Sequence, residues 1–299
     1  MQASIKEIEE TLRGDLDDPV ALRAYGEWLS ERGDARGTLI RLEQQLAVTS
    51  PTRRAPLERE IAEFVAEHDD WPDELPPGVQ VSARQHGFAT EVAVEWSENL
   101  REVIEQLPAG GLIRTLRITP GSEESDEDDD DYDDFDEDFQ GGLRHPLNPE
   151  PLAGLDLGRF VELDLSYLGL GPEGAKAIAT SLRTDRLREV DLRYCYIEDA
   201  GVAALTQSSH LSALRCLHLQ RNKLTAEAVR SLYRLPELTD LDLRYNDIGE
   251  AGAQALTAAP FAGSLARLGL YGTDVGDGAR TLAQAAELPA GLRSIWRSI

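Results

Sequence analysis

One phrase returns five times in the second half of the chain, and nothing else constrains the fold as tightly. It reads Phe160-Val-Glu-Leu-Asp-Leu165, Leu187-Arg-Glu-Val-Asp-Leu192, Leu214-Arg-Cys-Leu-His-Leu219, Leu238-Thr-Asp-Leu-Asp-Leu243 and Leu265-Ala-Arg-Leu-Gly-Leu270. The starts lie 27, 27, 24 and 27 residues apart, and Leu292 is expected to open a sixth, degenerate copy after another 27. A period of this length means stacked supersecondary units, none of which can bury its apolar face alone. Within each phrase the apolar residues alternate as in a strand. Between phrases, Pro172 to Leu182 and Glu250 to Leu256 carry small residues at helical spacing, as for helices packed close to a sheet.

The phrase, extended by Asn222 or Asn246 in two copies and Cys195 in another, fits L-x-x-L-x-L-x-x-N/C-x-L and resembles the leucine-rich repeat. A helix in every unit of about 27 residues is similar to the ribonuclease-inhibitor subclass, over roughly residues 88–299. The resemblance implies an α/β solenoid with a parallel sheet on its concave side and helices on its convex side. Phe88 to Val94, a helix from Ser97 to Leu107, and Ile113 to Ile118 read as two irregular repeats before the regular ones. Another ribonuclease-inhibitor-like family activates GTPases, but no residue here points to that activity.

Residues 1–78 read as a separate helical module. Asp18-Pro19 is an N-cap followed by Pro at the first helical position, and further apolar runs cover Leu39 to Leu46 and Leu57 to Val65. Trp71-Pro72 and Leu75 to Gly78 then punctuate a boundary, so the repeat region is assigned to 79–299. The stretch Tyr25-Gly-Glu-Trp-Leu-Ser-Glu-Arg-Gly-Asp-Ala-Arg-Gly-Thr-Leu-Ile-Arg-Leu42 resembles the bacterial repeat-companion domain found ahead of leucine-rich repeats. That module has no established activity. Trp28, Leu29, Ile40 and Leu42 are expected to pack, Glu31, Arg32, Asp34 and Arg36 to pin the turn between helices, and the module to cap the open solenoid.

Residues 122–139 hold thirteen carboxylates, about half of the formal net charge of −25. Such a block repels itself and is expected to be a disordered insertion at about 121–142. Asp126, Asp128, Asp130, Asp134 and Glu137 brush calcium-loop spacing, but Asp131 stands where that loop needs Gly, so no metal is assigned. Tyr132, Phe135 and Phe139 within it are candidate anchors for a basic partner. The acidic balance disfavours nucleic acid and anionic membranes. The charged N-terminus, the lack of an apolar span and the two scattered cysteines suggest a cytoplasmic protein.

Stacking the phrases gives three concave columns: Asp164, Asp191, His218, Asp242, Gly269; then Ser166, Arg193, Gln220, Arg244, Tyr271; then Tyr167, Tyr194, Arg221, Tyr245, Gly272. The face is near neutral on an acidic molecule and rich in Arg and Tyr, the residue types of binding hot spots. The candidate partner-binding residues are Tyr167, Asp191, Arg193, Tyr194, His218, Arg221, Asp242, Arg244, Tyr245 and Tyr271. Asp and Arg are also expected to pair across strands, and His218 to sit between Asp191 and Asp242 with a raised pKa. No nucleophile–base pair, phosphate loop or zinc spacing is present, so no catalytic residue or cofactor is assigned. The expected function is a non-enzymatic scaffold for a protein partner. The alternative is a regulatory subunit or inhibitor masking a basic enzyme through its acidic segment.

Overall fold

The computed structural model describes residues 4–68, 71, 73–108, 111–121, 147–181 and 186–296. It comprises two compact units, Met1–Ala93 with Gln106–Leu116, and Val94–Glu105 with Arg117–Ile299.

The first unit begins with four helices, α1 Ile5–Gly14, α2 Pro19–Ser30, α3 Ala35–Val48 and α4 Arg54–Glu67. Ser4 caps α1 through a capping box with Glu7, a Ser-x-x-Glu signal that the sequence displays. Asp18 caps α2, its carboxylate accepting from the Val20 and Ala21 N–H groups, with Pro19 at the first position as expected. Leu12, Leu22, Leu29, Ile40 and Phe88 share one core, which α1 and α2 enter through one apolar face each. Leu29, Ile40 and Leu42 are buried, whereas Trp28 is half-buried and stacks on Tyr25 with ring centroids 5.9 Å apart.

The turn between α2 and α3 is held by three of the four polar residues expected to hold it. Asp34 caps α3 by accepting from the Arg36 N–H at 2.9 Å and also binds the Arg36 guanidinium. Arg36 in turn lies 4.3 Å from the Phe88 ring centroid, and Arg32 lies 4.0 Å from that of Trp28. Glu31 is the exception: its side chain is 78% exposed and only 3.9 Å from Arg32. At that exposure and distance it adds little.

Strand β1, Val79–Gln85, was not anticipated, although Val79, Val81 and Ala83 alternate ahead of His86-Gly87. It forms a hairpin with β2, Phe88–Glu95, through that two-residue turn, both residues of which have positive φ (55° and 80°). The turn is tied down through its histidine. His86 Nδ1 hydrogen-bonds the Glu43 carboxylate and its Nε2 lies 3.2 Å from the Leu16 carbonyl.

Short helix α5, Leu100–Glu105, and strand β3, Thr115–Thr119, follow. The second unit then repeats strand and helix: β4 Glu162–Asp164, α6 Gly171–Ser181, β5 Glu189–Asp191, α7 Glu198–Thr206, β6 Cys216–His218, α8 Ala226–Ser231, β7 Asp240–Asp242, α9 Gly249–Ala258 and β8 Arg267–Gly269. Strands β4 to β8 pair in parallel and in sequence order, so Asp164, Asp191, His218, Asp242 and Gly269 are successive register partners. This is the first column expected from the phrase. The phrase leucines point the other way. Leu165, Leu192, Leu219 and Leu243 are fully buried, and each such side chain contributes roughly 1.5–3 kcal/mol.

Helices pack closely because they carry small residues: a Cβ added at Gly201 of α7 would come within 3.0 Å of the Ala175 Cβ on α6. The asparagines of the repeat turn the chain after each strand. Buried Asn222 donates to the Leu192 carbonyl at 2.7 Å and accepts from the Ile197 N–H; Asn246 donates to Leu219 and accepts from Asn222 and Leu224. Cys195 holds the same position with a thiol that donates to the Leu165 carbonyl, and burial pushes its pKa up to about 12.

Leu292 opens no sixth strand, contrary to expectation. After β8 the chain is helical: α10 Gly272–Val275, α11 Gly278–Gln284 and α12 Ala290–Trp296. Leu292 and Ile295 keep the first two apolar positions of the phrase, but the third is filled by Arg297, too little for a strand buried on one face. Leu292 instead buries one side of α12.

Candidate functional site

The side of β4 to β8 opposite the leucines carries the candidate residues, and its chemistry begins with the aspartates. Asp164, Asp191 and Asp242 end their strands, and each accepts the N–H two residues on (Ser166, Arg193 and Arg244) at 3.0, 3.0 and 3.1 Å. The motif is an Asx-turn repeated along the solenoid. Where the next residue but one is Arg, its guanidinium folds back onto the same carboxylate. Arg193 Nε lies 2.9 and 2.8 Å from the two Asp191 oxygens, and Arg244 Nε lies 2.9 and 3.0 Å from those of Asp242.

The Asp–Arg pairs at these two repeats are therefore within one strand end, and the cross-strand pairing expected for the columns is found instead for Arg267 with Asp240 and for Arg117 with Asp164. Arg117 belongs to the irregular copy Ile113–Ile118, where it holds the position that Asp164 holds in its own phrase, and the columns were drawn from the five regular copies only. Burial alone would raise the Asp164 pKa, but bonds from Ser166 and Arg117 hold it below the usual carboxylate value. Asp191, Asp240 and Asp242 are buried, not exposed as their phase suggested. They support the site; the arginines over them face solvent. Gly269 ends the column because a Cβ there would fall 2.5 Å from the Asp242 carboxyl carbon.

His218 has a raised pKa, but its partner differs from the expected one. The main cause is the Glu189 carboxylate, 3.6 Å away on β5; burial opposes it and the charge of Asp191 assists. Asp242 does not serve His218, because its oxygens are taken by Arg244 and by Gln220 Nε2 at 2.7 Å.

The third column sits one residue further, and its backbone is unusual. Tyr167, Tyr194, Arg221 and Tyr245 all have left-handed φ, at 65°, 57°, 53° and 62°. Glycine takes that conformation without penalty, whereas each L side chain pays roughly 1–2 kcal/mol. The side chains kept there pack on their neighbours in two groups. Tyr167 and Tyr194 stack at 4.7 Å, the Arg221 guanidinium is 5.6 Å from the Tyr194 ring, and Tyr245 meets Tyr271 edge-on at 5.1 Å. Arg244 lies 5.8 Å from the Tyr271 ring. Hydrogen bonds from Tyr245 and Arg244 hold the Tyr271 hydroxyl below its usual pKa. Tyr245 and Tyr271 are 54% and 40% exposed.

Beside these groups lies a groove of about 700 Å³ whose lining includes Glu189, His218, Gln220, Asp240, Leu292 and Ile295. Ile295 comes from α12, in the stretch expected to form the sixth copy of the phrase. Among the described residues no three His, Cys, Asp or Glu side chains are placed to hold a metal ion, and no helix is long and apolar enough to cross a membrane. Tyr132, Phe135 and Phe139, the candidate anchors of the acidic segment, lie outside the described residues.

Residues 160–179, 187–205 and 235–256 match the sequence model of the family described as Leucine Rich repeat. No curated protein matches the sequence. Among solved structures, the tropomodulin C-terminal domain from Caenorhabditis elegans aligns with a TM-score of 0.36 at 17% identity, covering 50% of this chain and 92% of that one. The three matched spans cover β4 with α6, β5 with α7, and β7 with α9, the same strand–helix units derived above from period and register. The family model thus marks leucine-rich repeats at these three spans within residues 160–256.

Proposed function

We propose that this chain is a non-enzymatic scaffold that captures a protein partner on the Arg/Tyr face of β4 to β8. Leucine-rich repeats generally mediate protein–protein interaction. The observation that carries the finer reading is the left-handed column: Tyr167, Tyr194, Arg221 and Tyr245 occupy positions where glycine would be less strained. Side chains retained against backbone preference point to a use for them. Tyr and Arg supply that use, since they bring large, semi-rigid contact area and concentrate at binding hot spots.

The test is affinity capture from the native host with the wild-type chain and with Arg193→Ala/Tyr194→Ala/Arg244→Ala/Tyr245→Ala. Because the arginine changes leave buried Asp191 and Asp242 without their ion-pair partners, the variant is first checked for folding by circular dichroism; the folded variant should lose the protein that wild type enriches. Equal capture by both would move the recognition surface elsewhere.

A second reading is favoured by the thirteen carboxylates of residues 122–139. In it the chain is a regulatory subunit or inhibitor that masks a basic enzyme, with the acidic segment as its contact. GTPase activation finds no residue-level support.

A further inference from the structure

Each carboxylate on the groove floor has a basic partner: Asp191 has Arg193, Asp242 has Arg244, Asp240 has Arg267, and Glu189 has His218. Two buried atoms of the lining, Asp240 Oδ2 and Gln220 Oε1, lack a hydrogen bond, and of these only Asp240 is ion-paired, with Arg267. Gln220 is 5% exposed, its Nε2 donates to Asp242 Oδ2 at 2.7 Å, and its Oε1 is buried with no hydrogen-bond donor. The carboxylate fixes which way the amide points, because reversing it would set two acceptors against each other. Buried acceptors almost always have a donor, so this one calls for an explanation.

Gln220 lines the groove, and so do two apolar residues of α12, Leu292 and the 54% exposed Ile295. An unfilled acceptor and the exposed Ile295 beside buried Leu292 define complementary requirements for an occupant.

We propose that Gln220 Oε1 anchors a peptide subsite, which takes a short, extended and locally uncharged segment of a protein partner. The segment donates an amide N–H to Gln220 and lays an apolar side chain on Leu292 and Ile295. This deepens the concave-face reading and rests on it.

The charge pairing excludes the other chemistries. Acidic side chains bring no donor for Oε1 and meet four carboxylates. A Lys or Arg side chain would have to compete with arginines that already neutralise the floor. An amide N–H asks for no countercharge, and an extended chain offers it together with alternating side chains. The last torsion of a Gln side chain is soft, so a small rotation presents the oxygen to an arriving N–H.

The probe is a phage-displayed library of random peptides of about twelve residues, selected on the full chain. Selected peptides are titrated by fluorescence anisotropy against wild type, Gln220→Met, Ile295→Ser and the quadruple alanine variant. Gln220→Met removes the orphaned acceptor while Arg244 still holds Asp242, so its urea midpoint should stay or rise. Its peptide affinity should fall roughly tenfold, the effect of one hydrogen bond of ordinary strength. N-methylation of the contacting amide should cost the same on wild type and nothing further on Gln220→Met, which identifies the pair. Should Gln220→Met lose stability, Ile295→Ser, at a solvent-exposed position, must show the weakening instead.

If Gln220→Met and Ile295→Ser bind as wild type while the quadruple variant does not, the concave-face reading stands and the Gln220 subsite falls. If no variant matters, both fall. Selected peptides carrying charge at the contact, or no selectable peptide at all, would also overturn the subsite.

Discussion

Replacing Tyr167 and Tyr194 together, once by Ala and once by Gly, separates backbone strain from side-chain contact. Both residues have left-handed φ, at 65° and 57°, and their rings stack on each other at 4.7 Å. Either double variant deletes the same stack and the Arg221 contact, so these losses cancel in the comparison. What remains is the backbone. Alanine keeps a left-handed penalty of roughly 1–2 kcal/mol per position. Glycine is free of it but loses about 0.5–1 kcal/mol more conformational entropy on folding. The difference favours glycine by about 0.5–1 kcal/mol per site, or about 1–2 kcal/mol for the pair. With a urea dependence of about 3 kcal/mol/M, the glycine pair should unfold at a midpoint roughly 0.5 M higher than the alanine pair. The assay is urea unfolding followed by circular dichroism. Equal midpoints, or a lower one for glycine, would refute the strain argument and remove the main support for a recognition role of this column.

Three further outcomes follow from the same geometry. Burial alone would lower the His86 pKa, but Glu43 and the Leu16 carbonyl outweigh it and raise it; its stabilisation is therefore full below the unfolded value near 6.5 and is lost as pH rises through the folded value. His86→Asn, which suits a left-handed turn, should flatten that pH dependence of the urea midpoint, and an unchanged profile would contradict the assignment. For His218, Glu189→Gln should lower the pKa in an NMR titration more than Asp242→Asn does, because the main cause of its elevation is the Glu189 carboxylate; the reverse order would restore the sequence-based pairing. Asn222→Ala should cost about 2–4 kcal/mol in urea unfolding by orphaning the buried Leu192 carbonyl and Ile197 N–H, and a loss under 1 kcal/mol would show that the turn reorganises.

The repeat region was legible in the sequence because a side chain in a strand has only two directions. Once Leu163 and Leu165 point inward, Asp164 and Ser166 must point outward, and the 27-residue period makes them neighbours of Asp191 and Arg193. Direction, however, is not exposure. The aspartates face the groove yet are buried, because arginines two residues on fold over them, and that depends on torsions the pattern does not encode. The His218 partner was missed for a related reason: carboxylates adjacent in register compete with diagonal ones, and Asp242 was already engaged. The left-handed column was hidden because Tyr gives no hint of positive φ as Gly or Asn would. The expected sixth strand failed where the last of the phrase's apolar positions is filled by Arg297. The β1–β2 hairpin, by contrast, was visible in the alternation ending at His86-Gly87 and was overlooked for want of a longer apolar run.

The pairing of every groove-floor carboxylate bears on how the face can recognise anything. A chain with a formal charge of −25 should steer basic partners from a distance, yet β4 to β8 present a surface whose charges are already matched within or between strand ends. Affinity there must come from Tyr and Arg area, apolar contact and neutral hydrogen bonds, none of which releases many counterions. Raising salt from about 0.05 to 0.5 M shrinks the Debye length from roughly 14 to about 4 Å, which removes steering but leaves contact interactions. A partner held by the Arg/Tyr face should therefore associate more slowly in salt while its dissociation rate changes little, since long-range charge acts mainly on encounter. A partner held by the thirteen carboxylates of residues 122–139 should dissociate faster as well. Stopped-flow association and dissociation across that salt range would decide between the two readings, and a salt-accelerated dissociation that survives mutation of Tyr194 and Arg244 would reject the Arg/Tyr face.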